Sequence, residues 1–359
     1  MSTLESVPIG APQDTEGRHM RIGILTGGGD CPGLNAAIRA VVKRGTAEHG
    51  CSIVGFRNGW EGVIRGDAVP LSRNDVSGIL VVGGTMLGTA RCHPHKVPGG
   101  MDAVKETAEN EKLNGFICIG GDGTLKAAGK VSQATGLPVI GIPKTIDNDV
   151  VGTDAAIGFD TAVSIATEAI DRLHSTAESH NRVMVVELMG RHSGWIAVTA
   201  GIAGGADIIL APEEPFDIDV IAKKIKHRHR YKNFSIVAVA EGALPAEGSS
   251  WSGKATIDDK GNPIAGSIGH EVTKAIEAAT GFATRLTVLG YVQRGGVPTA
   301  TDRLLATRFG VAAIDGIVAG ESGKYTALQG SQVVLEPFVT MMGKTKWVPE
   351  ELLATARDL

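Results

Sequence analysis

The stretch that most constrains the fold is Leu137-Pro138-Val139-Ile140-Gly141-Ile142, which runs straight into Pro143-Lys144-Thr145-Ile146-Asp147-Asn148-Asp149. An apolar run of this length fits a strand buried on both faces. Such strands belong to parallel sheets covered by helices. Charged residues at the carboxyl end of a buried parallel strand sit where open α/β sheets bind their ligands. Two aspartates and a lysine in that place can supply a proton acceptor, a metal ligand and a cation facing phosphate. Phosphoryl transfer uses all three.

The same pattern recurs along the chain. A strand over 21–26 meets Gly27-Gly28-Gly29-Asp30 and a helix over 35–48. A strand over 52–56 leads into a loop with Gly59, Trp60 and Gly62, and a second glycine-rich loop, 83–91, ends on Arg91. A strand over 115–119 meets Gly120-Gly121-Asp122-Gly123-Thr124 and a helix over 124–135. Strand, glycine turn and helix together let backbone N–H groups and the helix dipole face an anion. The 49 glycines cluster in such turns without a period, which excludes collagen.

The second half continues the alternation. Helices are predicted over 160–174, 193–203, 217–231, 266–280 and 301–319, with strands over 182–188, 234–240 and 285–290. Residues 245–265 read as a polar loop or hairpin, and the chain after 319 as a short tail. Strands alternating with helices predict doubly wound, mostly parallel sheets. With 359 residues the chain exceeds one minimal core, so two lobes are expected, with the active site in the cleft between them.

Composition narrows the function. Hydrophobic residues at 43% and charged residues at 21% describe an ordinary globular chain. A net charge of −4 gives no global field for nucleic acid, so phosphate must be held by local arginines and backbone amides. The basic run from Lys223 to Arg230 lacks interleaved aromatics and reads as a solvated helix face. His93-Pro94-His95 is poorly spaced for a closed metal site and reads as solvated loop histidines. Cys31, Cys51, Cys92 and Cys118 form no CxxC pair and read as reduced thiols of a cytoplasmic protein. No apolar run reaches the roughly 18 residues that span a membrane. Residues 1–19 are polar and read as a disordered extension ahead of the first strand.

Several predicted strands carry a polar residue at an end. Asp122, Asp147, Arg191 and Glu241 follow strand ends, whereas Arg182 and Arg285 open strands. Asp147 or Asp149 can serve as base. Arg91 and Arg191 can brace phosphoryl oxygens, and arginines of the second lobe can hold a substrate phosphate in bidentate fashion. Asp122, inside a phosphate-binding turn, either takes a cation such as Mg²⁺ or caps the following helix.

These motifs resemble the 6-phosphofructokinase family from about residue 20 to about residue 319. The resemblance rests on Gly28-Gly29-Asp30-Cys31-Pro32-Gly33-Leu34-Asn35-Ala36-Ala37-Ile38-Arg39, Leu87-Gly88-Thr89-Ala90-Arg91, Gly120-Gly121-Asp122-Gly123-Thr124, Lys144-Thr145-Ile146-Asp147-Asn148-Asp149, Met189-Gly190-Arg191 and Gln293-Arg294-Gly295-Gly296. The stretch Ser175-Thr176-Ala177-Glu178-Ser179-His180 is similar to actinobacterial-type members. The resemblance implies a Mg²⁺-dependent kinase that phosphorylates the 1-hydroxyl of fructose 6-phosphate in a committed step of glycolysis, with Asp147 as general base. Asp122 would hold Mg²⁺. Gly29, Arg91, Cys92, Gly121, Asp122, Gly123 and Thr124 would bind the phosphoryl donor. Lys144, Thr145, Ile146, Met189, Gly190, Arg191 and Glu241 would line the reacting centre and the sugar. Arg182 and Arg285 would reach the 6-phosphate across an interface of a homotetramer, with Tyr291, Val292, Gln293 and Arg294 nearby. The implied lobes are 20–157 with about 293–343 for the donor, and 158–292 with about 344–359 for the sugar. Only Arg39 matches the family's effector site.

Two positions divide on the donor. Lys144 resembles pyrophosphate-using members, where the best-known ATP users carry glycine. Gly123 resembles ATP users, where pyrophosphate users carry aspartate. Glycine at 123 leaves room for the α-phosphate of a nucleotide, and a lysine adds a cation without excluding one, so ATP is the expected donor. The alternative is a reversible pyrophosphate-dependent fructose 6-phosphate 1-phosphotransferase. Tyr291 stands where the best-known members carry histidine; its phenol can donate to phosphate but carries no charge at neutral pH. NAD and lipid kinases share only the Gly-Gly-Asp-Gly turn. A catalytically dead paralogue would lack Asp147 or Asp122, and both are present.

Overall fold

In the computed structural model, residues 19–247, 249, 251, 253, 256–258 and 263–358 are described. Apart from His19, the expected N-terminal extension lies outside them, as does part of the 245–265 segment. Within that segment Ile257 and Pro263 form an antiparallel bridge, as in a hairpin.

Two sheets organise the chain. The first contains β1 (Arg21–Gly27), β2 (Ser52–Phe56), β3 (Ala68–Leu71), β4 (Gly115–Gly120), β5 (Val139–Pro143), β10 (Lys324–Gln329) and β11 (Gln332–Pro337). The second contains β6 (Val183–Leu188), β7 (Ile208–Leu210), β8 (Ser235–Ala240) and β9 (Thr284–Val288). Helices cover both: α1 (Leu34–Glu48), α2 (Trp60–Arg65), α3 (Gly100–Asn110), α4 (Asp122–Thr135), α5 (Phe159–His180), α6 (Trp195–Ala203), α7 (Ile218–Arg228), α8 (Ser267–Thr280), α9 (Ala300–Val318) and α10 (Glu350–Asp358). β1, β4, β5, β6 and β8 are apolar and buried along almost their whole length, as parallel strands covered on both faces must be.

The first sheet runs β11-β10-β5-β4-β1-β2-β3, and the second β7-β8-β6-β9. The pairings of β1 with β2 and β4, of β4 with β5 and of β5 with β10 are parallel. The two edges are not: β3 lies antiparallel to β2 and β11 antiparallel to β10. The chain after 319 is therefore no tail. It adds a hairpin to the first sheet and closes with α10. Gly330-Ser331 is a two-residue hairpin turn, but Tyr325, Thr326 and Ala327 are buried there without the long apolar run that marks the other central strands. The loop expected around Gly59, Trp60 and Gly62 is the start of α2, and β3 and α3 also lie between β2 and β4.

Strand order reverses between β1 and β4. Their carboxyl ends meet in register at Gly27 and Gly120, and a crevice opens at such a reversal. A Cβ at Gly27 would come within 2.7 Å of the Thr124 side chain, and one at Gly120 within 2.4 Å. Both glycines are thus needed for Thr124 to seat the start of α4 against the two strand ends.

A buried carboxylate ties the late helix α9 to the middle of the chain. Asp302 accepts from Gly158 N at 2.8 Å, Thr161 N at 2.8 Å and Thr161 Oγ1 at 2.6 Å, so it caps α5. Glu187 does the same for α8, accepting from Gly266 N and, at 2.6 Å, from Gly269 N.

Most of the basic run is solvated, as expected. Two members are not: Arg228 pairs with Asp207 at 2.9 Å, and His229 stacks on Phe282 with centroids 4.1 Å apart. No described helix is long and apolar enough to cross a membrane. Cys31, Cys51 and Cys118 are buried free thiols, and Cys92 is half-buried.

Candidate active site

A cleft of about 730 Å³ opens at the reversal between β1 and β4. Its floor is the turn after β1. Thr89 Oγ1 donates to Gly28 O at 2.7 Å and Gly28 N donates to Ala90 O, so the 83–91 loop is pinned over the glycines and Arg91 is presented at the rim. On the other side α4 begins at Asp122, with Gly121, Gly123 and Thr124 facing the cleft. Amides in the first turn of a 14-residue helix have no intrahelical partner and can donate to phosphate.

Two cations are committed elsewhere at their tips. Lys144 is almost wholly buried, and its ammonium donates to Gly29 O. Burial pulls its pKa down. It therefore braces the first glycine turn as well as facing the cleft. Arg294 comes from the turn after β9, donates to Asp30 O at 3.2 Å and lies against Gly29. Through it the second sheet reaches the first.

The stretch after β5 supplies the carboxylates. Asp147 is 3% exposed. Its Oδ2 lies 3.6 Å from Arg191 Nε, and its Oδ1 is buried with no hydrogen-bond partner. A buried carboxylate oxygen without a donor is costly unless a ligand or cation supplies one. Thr145 Oγ1 accepts from Asp147 N, and Ser193 Oγ donates to Asp147 O at 3.1 Å. Ile146, between them, is fully buried in the core. Asp149 lines the cleft too. Burial, and then the charge of Asp147, push its pKa well above the usual carboxylate range.

Arg191 comes from the turn after β6, which needs unusual backbone. Gly190 has φ 147° and Arg191 φ 53°. A Cβ at Gly190 would strike Ser193 O at 2.5 Å, so the turn is closed to other residues there. Glu241, at the end of β8, holds it: Oε1 accepts from Gly190 N at 3.2 Å and Arg191 N at 2.8 Å. Gln293 is fully buried and accepts from Met189 N at 3.3 Å.

Burial pushes Glu241 from an ordinary 4.5 up to about 7. A carboxyl raised by folding keeps its proton where the unfolded chain has lost it, so it subtracts stability as pH rises through that window. Glu241→Gln keeps an acceptor for both amides and removes the charge. The expected result is an unfolding midpoint that gains on wild type as pH rises from about 5 to about 7.5. Calorimetry across that range checks it, and a constant difference would show that the carboxyl does not titrate there.

Not every expected residue meets at the cleft. Arg182 immediately precedes β6 and Arg285 is the second residue of β9, whereas Arg191 follows the other end of β6. They lie at the opposite edge of the second sheet, roughly 20 Å away for a six-residue strand. Arg285 is exposed and pairs with Glu277 at 3.7 Å. Tyr291 and Val292 are 81% and 65% exposed and do not line the cleft.

Sequence reading also missed contributors. His93 and Lys96 line the cleft beside Arg91 and Cys92. His93 and His95 were expected to be solvated; both are half-buried, because a short 3₁₀ turn (Pro94–Lys96) folds them against α4. Among the described residues, no three His, Cys, Asp or Glu side chains form a protein-only metal cage. Mg²⁺ suits such a site nonetheless, because it binds through one or two carboxylates plus substrate phosphates and water. The unpartnered Asp147 Oδ1 and the neighbouring Asp122 and Asp149 fit that donor set.

A sequence profile of the phosphofructokinase family matches residues 21–317. The chain belongs to the phosphofructokinase family. Its relatives include both donor types. It is 50% identical to the pyrophosphate–fructose 6-phosphate 1-phosphotransferase of Amycolatopsis mediterranei over 332 residues, 92% of this chain and 97% of that one. It is 48% identical to the ATP-dependent 6-phosphofructokinase of Corynebacterium efficiens, covering 95% and 99%, and 49% identical to that of Mycobacterium tuberculosis, covering 92% and 97%. Among solved structures, phosphofructokinase from Saccharomyces cerevisiae superimposes with a TM-score of 0.79 at 33% identity. The match covers 89% of this chain and 45% of the longer yeast chain. A pyrophosphate-dependent phosphofructokinase from Marinobacter aquaeolei shares the fold, with a TM-score of 0.79 at 22% identity over 94% of this chain and 91% of that one.

Proposed function

We propose that the protein transfers the terminal phosphoryl group of ATP to the 1-hydroxyl of fructose 6-phosphate, giving fructose 1,6-bisphosphate and ADP. The reading for ATP rests on one observation. Past Gly123 the cleft opens into a second pocket of about 340 Å³, and His93, Lys96 and Gly123 line both. His95, Lys126, Lys130 and Met342 complete the lining of the second pocket. Pyrophosphate has no use for this extension, whereas a nucleoside fills it.

Asp147 takes the proton of the sugar hydroxyl as its oxygen attacks the terminal phosphorus and the bond to the bridging oxygen breaks. Arg191, beside Asp147, and Arg91, at the rim, offset charge on the transferring group. The first-turn amides of α4 hold the remaining phosphates. Asp122, with Asp149, would hold a Mg²⁺ ion. Mg²⁺ supplies charge neutralisation on the donor oxygens. Thr145, Met189, Gly190 and Glu241 shape the sugar side; Glu241 and Gln293 do so by fixing the 189–191 turn.

The same reading makes the protein a cytoplasmic enzyme at a committed step of glycolysis. It also makes it a homotetramer: Arg182 and Arg285, distant from their own cleft, would serve the 6-phosphate of a neighbour. The lobes are then 20–157 with 293–343 and 158–292 with 344–359. The two-sheet arrangement, with β10 and β11 in the first sheet, supports that division.

Lys144 and the Amycolatopsis relative favour the second reading, pyrophosphate as donor. Initial rates with fructose 6-phosphate and Mg²⁺, offering ATP and pyrophosphate in parallel, decide between them. ATP turnover without pyrophosphate turnover is expected; pyrophosphate turnover alone overturns the reading.

A further inference from the structure

The loop that carries Asp147 and Asp149 is held from outside by a segment that comes late in the chain. Lys346 N donates to Asp149 O at 2.9 Å. Lys346 Nζ donates to Thr153 O at 2.9 Å and Asp154 O at 2.8 Å. The same residue grips the second sheet's helix α6: Trp195 Nε1 donates to Lys346 O at 2.8 Å, and the ammonium sits 4.9 Å from the centre of the Trp195 ring. Two residues on, Val348 N donates to Glu213, whose carboxylate also accepts from Gly194 N. Gly194 follows Ser193, which holds Asp147 O from the other side.

One lysine thus joins the carboxylate loop of the first sheet to the start of the helix that follows Arg191. Its ammonium makes two charge-assisted hydrogen bonds to the carboxylate loop and lies over the Trp195 ring. We propose that Lys346 is a positioning residue for phosphoryl transfer, fixing Asp147 and Asp149 relative to Arg191. Lys346 does not line the cleft; it acts through the loop. The proposal rests on the kinase reading above.

Misplacing a reacting group by a fraction of an ångström costs rate and leaves binding largely intact. Lys346→Met keeps the stem over Trp195 and removes the ammonium. It is expected to lower kcat about tenfold, with KM for both substrates within about twofold of wild type. Lys346→Arg, which can still donate to both carbonyls, is expected to restore at least about half of kcat. An unchanged kcat in K346M overturns the proposal. So does a loss that K346R does not repair, or a rise in KM alone. Amide hydrogen exchange separates this from the kinase reading: the Asp154 and Ala156 amides should exchange faster in K346M and normally in K346R, whatever the donor. Unchanged exchange sinks the clamp alone, and absent ATP turnover in wild type sinks the kinase reading alone. Should K346M fail to fold, Trp195→Phe removes the bond to Lys346 O and weakens the ring contact with the ammonium. A kcat loss of about threefold is then expected, and none overturns the proposal.

Discussion

Replacing Asp147 with serine lowers kcat by about 10³-fold and leaves the affinity for fructose 6-phosphate within a few-fold of wild type. Position and chemistry both point to this result. Asp147 is buried, yet one of its oxygens has no donor and the other lies beside Arg191. It is thus poised to accept a proton from a hydroxyl in the cleft. Serine cannot accept that proton at neutral pH, and its smaller side chain leaves the backbone bond from Ser193 in place. Asp147→Asn is the isosteric control: it retains shape, loses basicity and should fall by a similar factor. Stopped assays for kcat and calorimetric titration for sugar affinity separate the two effects. Substantial turnover in both variants would move the role of base to Asp149.

Replacing Gly123 with aspartate lowers kcat/KM for ATP by about a hundredfold and spares or raises turnover with pyrophosphate. The position has no side chain to lose, so the effect comes entirely from what is added. A Cβ there already stands 3.0 Å from the His93 ring. The carboxylate beyond it must project into the passage between the cleft and the second pocket. It then repels the inner phosphate of a nucleotide and closes the route to the pocket behind it. Gly123→Ala adds bulk without charge and divides steric from electrostatic loss. Rates with both donors for the two variants give the measurement. ATP turnover that survives Gly123→Asp would mean that the nucleotide does not pass this point.

Much of this was legible in the sequence because the chemistry and the fold share residues. Apolar runs that end in glycine and then charge are both a parallel strand and half a phosphate site. β1, β4, β5, β6 and β8 therefore appeared with their functional ends attached. What escaped was held by long-range contacts. The β10–β11 hairpin has no strong alternation and exists because β5 offers an edge to pair with. Lys144 looked like a phosphate-facing cation; its bond to Gly29 reaches from the end of β5 past β4 to the turn after β1, and spacing cannot show that. Glu241 looked like a sugar ligand, and its two amide partners lie about 50 residues upstream, in a turn whose positive φ values no propensity predicts. Lys346 carried no signal at all, since a single lysine near a chain end is usually solvated.

The order of strands in space also has a consequence during synthesis. The four-stranded sheet is threaded between β5 and β10, so every one of its strands leaves the ribosome before the first sheet has received its last two. α9, which packs against α1 and carries the Asp302 cap, arrives later still than β9. The portion that begins first is therefore finished last. As the nascent chain grows, α1 presents an uncovered face until α9 (Ala300–Val318) emerges, and β5 a bare edge until β10 (Lys324–Gln329) does. The first glycine turn waits longest: Arg294, which donates to Asp30 O, lies 264 residues downstream of it.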